Sequence, residues 1–279
     1  MIVIFTDLDG TLLDAETYSF RPAADALSEI ADRRIPLVII SSKTAAEIEL
    51  IRRDLNNQHP FISENGGGLF IPEGYFPFPV SYTRRVENYI IVDVGVPYTR
   101  LTSFLDGITG KYSLPVRGFH ALTVEEVSRL AGLSIDEAVR AKERGYDEPF
   151  LFDGDSAQWG VLEKAVGAEG LGLTRGGRFH HLSGPHDKGT AAGLLMDWYR
   201  RCDEDVVFAG LGDAANDLPF LRLVDHPILV GRPDGTYETG IDIPGLTRAG
   251  RPGPAGWNEA VRALIHPDGS PYARAPLDT

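Results

Sequence analysis

Ile2-Val3-Ile4-Phe5-Thr6-Asp7-Leu8-Asp9-Gly10-Thr11 is the stretch from which the rest of the chain is read. Five apolar or β-branched residues are too few for a stable helix. Bounded by a carboxylate, they predict a buried strand that empties into an acidic turn. Working outward, a helical pattern covers Pro22 to Arg33, and a second apolar strand, Pro36 to Ile40, ends in Ser41 and Ser42. A helix over Ala45–Leu55 leads to a third strand, Phe61–Ser63, and the glycines 66, 67 and 68. Strand, helix, strand, helix, strand implies right-handed crossovers and a parallel sheet.

That pattern lapses in the middle of the chain. A strand at Tyr89–Val94 precedes helical segments at Tyr98–Ile108, Val124–Ala131 and Ile135–Arg144. Two of these helices open with capping boxes, Thr123 with Glu126 and Ser134 with Glu137. Strand, helix and strand then follow at Phe150–Asp153, Ser156–Val166 and Gly172–Thr174. From Arg178 the parallel pattern returns, with a helix over Lys188–Arg201, strands at Val206–Ala209 and Ile228–Val230, and a last helix at Gly256–Ile265. The expected architecture is α/β: a doubly wound, Rossmann-like parallel-sheet core in two parts, 1–83 and 174–279, with an α/β unit inserted at 84–173.

The 279 residues are 43% hydrophobic and 24% charged, a composition that suits a folded enzyme and excludes a disordered chain. No apolar run reaches the roughly 20 residues a membrane span needs. The N-terminus lacks the basic region of a signal peptide, so a cytoplasmic location and no membrane partner are expected. The single cysteine, Cys202, excludes an intrachain disulfide and a cysteine zinc site. A net charge of −13 repels polyanions and makes nucleic acid an unsuitable partner. A small phosphorylated substrate would be repelled too, unless a metal ion and local cations reverse the sign at its site.

Four short signals supply that reversal. Asp7 and Asp9 follow the first strand, Ser41 the second, Lys188 opens a helix, and Gly212-Asp213-Ala214-Ala215-Asn216-Asp217 follows a later strand. In open α/β sheets, ligands bind outside the carboxyl ends of the strands, so these groups are expected to share one crevice. Two aspartates on a short turn can divide their roles, one attacking phosphorus and the other moving the proton. Clustered carboxylates call for a hard cation such as Mg²⁺. Lys188 offers a fixed positive charge and Ser41 a hydrogen bond to a phosphoryl oxygen. Gly210 and Gly212 after a strand also raise a dinucleotide fingerprint. Ala215 in place of the third glycine, and the charge of Asp213, count against it.

An Asp-Leu-Asp-Gly-Thr turn, a serine after the second strand, a downstream Asp-Lys-Gly and a Gly-Asp-x-x-Asn-Asp resemble the haloacid dehalogenase (HAD) superfamily of phosphatases. The resemblance implies Asp7 as nucleophile and Asp9 as general acid/base. It also implies Mg²⁺ held by Asp7, the Asp9 carbonyl and Asp213, with Asp217 holding bound waters or positioning Lys188. Members that dehalogenate lack the second aspartate, so Asp9 favours phosphoryl chemistry. Further strings resemble the mannosyl-3-phosphoglycerate phosphatases: Ser41-Ser42-Lys43-Thr44, Ser63-Glu64-Asn65-Gly66-Gly67, Tyr146-Asp147-Glu148, and Gly177-Arg178-Phe179. This implies a mannosyl- or glucosyl-3-phosphoglycerate as substrate, converted to the glycosylglycerate and phosphate. Ser42, Lys43, Glu64, Asn65, Gly66, Gly67 and Asn216 are then candidate core contacts, and Tyr146, Asp147, Glu148, Arg178 and His180 candidate contacts beyond it. Strand alternation sends one of His180 and His181 toward the site and the other away. Another sugar-phosphate phosphatase, or a phosphosugar mutase on the same core, is the alternative. The oligomeric state is not legible.

Overall fold

The computed structural model describes residues 1–176 and 178–266. In chain order the elements are β1 (Ile2–Thr6), α1 (Ala24–Asp32), β2 (Leu37–Ile40), α2 (Ala45–Asp54), β3 (Phe61–Ser63), β4 (Gly68–Pro72), β5 (Arg84–Val86) and β6 (Tyr89–Asp93). There follow α3 (Tyr98–Tyr112), β7 (Val116–Gly118), α4 (Val124–Ala131), α5 (Ile135–Lys142), β8 (Asp147–Phe152), α6 (Ser156–Ala168), β9 (Gly172–Gly176) and β10 (Phe179–Ser183). The last are α7 (Lys188–Cys202), β11 (Val207–Gly212), α8 (Leu218–Leu221), β12 (His226–Gly231), β13 (Thr247–Pro252) and α9 (Gly253–Ile265). The chain forms two compact units, one of Met1–Leu37 with the described residues from Val207 onward, the other of Val38–Val206.

In the first unit four parallel strands run in the order β13-β12-β11-β1, with Ile4 opposite Ala209. Val3, Ile4 and Phe5 have no exposed surface, as an unbroken apolar run between covered faces requires. Both acidic turns, after β1 and after β11, leave the carboxyl ends of neighbouring strands.

In the second unit β2 and β3 are parallel, and the sheet then turns antiparallel through β4, β6 and β5. The change of direction has a local cause. Glu64, Asn65 and Gly66 take φ of 46°, 55° and 99°, three successive left-handed residues that reverse the chain within a few positions. That leaves no room for a crossover helix. Gly66 is obligatory there for a second reason, since a Cβ would lie 2.0 Å from the Asp187 carbonyl oxygen. A separate antiparallel sheet, β7-β8-β10-β9, completes this unit. It packs on α3 and α6 through Leu101, Leu105, Phe150 and Leu162. The strands from Arg84 to Asp93 extend the first of these sheets, and β10 belongs to the second.

Candidate active site

Asp7 stands at the end of β1 with 6% exposure. Its N–H donates to the Leu211 carbonyl at 2.9 Å, continuing the β1–β11 ladder one residue past the strand. The Thr6 hydroxyl donates to the Asp7 carbonyl at 2.8 Å. Asp9 is half-buried on the same turn. From the neighbouring strand end, Asp213 accepts from the Thr11 hydroxyl at 3.1 Å. Asp217 is fully buried, and its Oδ2 accepts from the N–H groups of Asp213 (2.9 Å) and Ala214 (3.0 Å). It therefore ties down the loop that carries Asp213. Carboxylate oxygens of Asp7, Asp213 and Asp217 lie within 4.8 Å of one another. Three anionic oxygens at that spacing repel strongly, and as hard ligands on rigid mounts they suit a small divalent cation.

Ser41 ends β2, fully buried, with its N–H on the Ile62 carbonyl and its own carbonyl accepting from Asn65. Its Oγ accepts from the Lys43 N–H at 3.2 Å, so the turn carrying Ser42, Lys43 and Thr44 is built around that hydroxyl. Thr44 caps α2 in a capping box with Glu47. Ser42 is exposed and Lys43 half-buried. Lys188 begins α7, is 1% exposed, and follows Asp187, which caps the helix through Thr190. Asn216 is exposed on the turn between Asp213 and Asp217.

The haloacid dehalogenase-like hydrolase family matches residues 4–73, the segment holding Asp7, Asp9 and Ser41. Over 263 residues the chain is 42% identical to a glucosyl-3-phosphoglycerate/mannosyl-3-phosphoglycerate phosphatase of Methanococcoides burtonii, covering 94% of this chain and 97% of that one. The chain belongs to the haloacid dehalogenase-like hydrolases. A mannosyl-3-phosphoglycerate phosphatase of Pyrococcus horikoshii is 36% identical over 229 residues, 82% of this chain and 90% of its own. The same fold occurs in a phosphatase of the haloalkanoate (HAD) superfamily from Bacteroides thetaiotaomicron, with a TM-score of 0.63, 22% identity and coverage of 95% and 94%.

The remaining sites expected of this hydrolase lie elsewhere in the second unit, and most are buried. Glu64 is 2% exposed and accepts three backbone N–H groups, from Gly145 (2.8 Å), Tyr146 (2.9 Å) and Asp147 (3.0 Å). The absence of a side chain at Gly145 permits this, because a Cβ there would already sit 3.3 Å from the Glu64 carboxylate. Gly67 lies against the Tyr146 ring, and the Tyr146 hydroxyl bonds Asp93 and Arg84. Asp147 pairs with Arg144 and with His181 Nδ1, both at 2.8 Å. Burial pushes the Asp147 carboxyl up, but Arg144 and His181 hold it below its ordinary value. Glu148 has no exposed surface and bonds His120 Nδ1 at 2.5 Å, while His120 Nε2 meets Asp106 at 3.0 Å. His120 titrates above its ordinary value; burial opposes this, and the two carboxylates outweigh it. His180 packs on Phe150 and Trp159, so alternation along β10 puts His181, not His180, beside Asp147. Arg178 is exposed and donates to the Leu130 carbonyl. Arg144, His181 and His120 carry this buried polar network; Arg144 and His120 were not singled out from the sequence, and His181 only as the alternative to His180. Only the alternation rule for His181 offered a signal.

Burial raises the Glu64 carboxyl to about 7, against the pull of Arg144 and the Tyr146 and Gly145 amides. Between its ordinary value and about pH 7 the folded protein therefore holds a proton that the unfolded chain has released. Stability falls with rising pH across that window, by about 3 kcal/mol in total. In Glu64→Gln the Glu64 contribution to this slope should vanish, since a neutral amide does not titrate. Urea unfolding of wild type and variant at pH 4.5, 6 and 8 measures it. Parallel stability curves would exclude Glu64 as the source.

Proposed function

We propose that this protein is a Mg²⁺-dependent phosphatase that hydrolyses glucosyl- or mannosyl-3-phosphoglycerate through a phosphoaspartate on Asp7. The observation that carries the substrate is the 42% identity to the Methanococcoides burtonii enzyme along nearly the whole of both chains. In the first step an Asp7 carboxylate oxygen attacks phosphorus as the bond from phosphorus to the glycerate oxygen breaks. Asp9 delivers its proton to that oxygen, releasing the glycosylglycerate. Asp9 then takes a proton from water as the water oxygen attacks the phosphoaspartate. Inorganic phosphate leaves, and the Asp7 carboxylate is regenerated. In this scheme Ser41 donates to a phosphoryl oxygen and Lys188 supplies fixed positive charge. Asp7, the Asp9 carbonyl and Asp213 would hold Mg²⁺, which when bound neutralises phosphate charge; Asp217 keeps Asp213 in place.

The close approach of Asp7, Asp213 and Asp217 supports a small oxygen-seeking cation. No helix among the described residues is long and apolar enough to cross a membrane, and the net charge of −13 favours small-molecule partners over polyanions. We place the protein in the cytoplasm. We assign the sugar contacts to the inserted unit expected at 84–173, and the phosphate and carboxylate contacts to the core turns at Ser42-Lys43 and Asn216.

A substrate with both a carboxylate and a sugar ring gains binding energy that either part alone lacks, and that energy is usable in the transition state. Phosphate release should therefore show kcat/KM for the glycosylated compounds at least about 10²-fold above 3-phosphoglycerate or mannose 6-phosphate. If either simple compound matched them, the substrate assignment would fail while the phosphatase assignment stood. Isomer formation without phosphate release would instead indicate a mutase.

A further inference from the structure

We propose that Trp257, on the C-terminal helix α9, is a positioning residue for Asp7 and acts through Thr6. This rests on the assignment of Asp7 as the nucleophile. Trp257 is fully buried and its indole N–H donates to Thr6 Oγ at 3.0 Å. An indole nitrogen can only donate, whereas a threonine hydroxyl both accepts and donates. Thr6 passes the bond on, its own O–H going to the Asp7 carbonyl at 2.8 Å. With the Asp7 N–H already on the Leu211 carbonyl, both peptide groups flanking the Asp7 side chain are fixed, one by the sheet and one by α9. A carboxylate that must approach phosphorus in line gains from such a mount, because misplacement of about 1 Å can cost about 10² in rate.

The helix itself is held where it can do this. Gly256 lets the first turn of α9 close on β13, since a Cβ there would fall 1.8 Å from the Arg251 carbonyl oxygen. Asn258 Oδ1 accepts the Ala26 N–H at 2.9 Å, tying α9 to α1. Three consecutive residues of α9 thus engage three different elements, and the middle one reaches the nucleophile turn. The acidic turn, the metal ligands and the proton donor account for none of this. The bond from Trp257 also fixes the rotamer in which the Thr6 hydroxyl faces the Asp7 carbonyl.

The test is a double-mutant cycle on hydrolysis of p-nitrophenyl phosphate in saturating Mg²⁺. Trp257→Phe and Thr6→Val should each lower kcat by about 10-fold with KM within about twofold. The double variant should be no slower than the worse single, because one chain has been cut twice. Thr6→Ser, which keeps the hydroxyl, should retain most of kcat. Thr6→Ala removes the same hydroxyl with less bulk and stands in if Thr6→Val does not fold. Amide exchange followed by NMR should also be faster at Asp7 in Thr6→Val than in Thr6→Ser. Unchanged kcat in the folded single variants would overturn the proposal, as would losses that multiply in the double variant. A wild type inactive on every phosphate ester would refute the nucleophile assignment instead, and the exchange comparison, extended to Trp257→Phe, would still decide whether Trp257 and Thr6 fix the Asp7 backbone.

Discussion

Asp7→Asn should reduce turnover by at least about 10⁴-fold while substrate binding is largely kept. The amide matches the carboxylate in shape, so the strand end should be undisturbed: the Asp7 N–H to Leu211 and the Thr6 hydroxyl to the Asp7 carbonyl are main-chain bonds. What disappears is the negative oxygen that bonds to phosphorus. The size of the effect follows from the chemistry, because losing a covalent intermediate leaves only positioning and charge stabilisation of a direct attack by water. Rapid-quench kinetics with ³²P-labelled substrate would trap acid-stable phosphoprotein in the wild type and none in Asp7→Asn. A residual tenth of wild-type turnover in Asp7→Asn would require water as the nucleophile.

Removal of divalent metal should abolish activity, and Mg²⁺ should restore it. The cause is electrostatic: carboxylates of Asp7, Asp213 and Asp217 with oxygens within 4.8 Å are mutually repulsive and would repel a phosphate as well. Ca²⁺ should restore little, since it takes more ligands at longer distances and disturbs an in-line geometry. Asp217→Ala tests the loop separately. The Asp217 Oδ2 accepts two N–H groups, and alanine removes both bonds. The Mg²⁺ concentration for half-maximal activity should rise by about 10- to 100-fold, the range typical when a group orienting a metal ligand is lost. Full activity in excess chelator would exclude the metal altogether.

Much of this site was legible because its signals are local. An apolar run closed by Asp7-Leu8-Asp9-Gly10 defines a strand and its turn with no help from distant residues, and the structure ends β1 at Thr6. The capping boxes at Thr123 and Ser134 likewise mark the starts of α4 and α5. The string Tyr146-Asp147-Glu148 shows where such reading stops. Two carboxylates and a phenol just past a helix expected to end at Arg144 have the composition of a sugar-binding edge, yet Asp147 and Glu148 open strand β8. In the structure Tyr146, Asp147 and Glu148 are 3%, 6% and 0% exposed, each bonded to a partner distant in sequence: Asp93, His181 and His120. Burial of polar groups is decided by such pairings, and composition does not encode them. The reversal at Glu64-Asn65-Gly66 was missed for a related reason, because two of its three left-handed residues are not glycine. Their strain is held by surroundings a local window does not contain.

The first compact unit is assembled from two stretches separated by roughly 170 residues, whereas the second is continuous. This has a consequence for biosynthesis. At about 5–20 residues per second, Ile2–Thr6 leaves the ribosome about 10–40 s before its neighbour β11. The continuous unit can fold in that interval, but until β11 emerges the strand leading to Asp7 lacks the parallel partner that pairs with it from Ile2 to Thr6. The acidic cluster of Asp7, Asp213 and Asp217 is therefore completed late in synthesis, when the carboxyl-terminal strands and helix arrive.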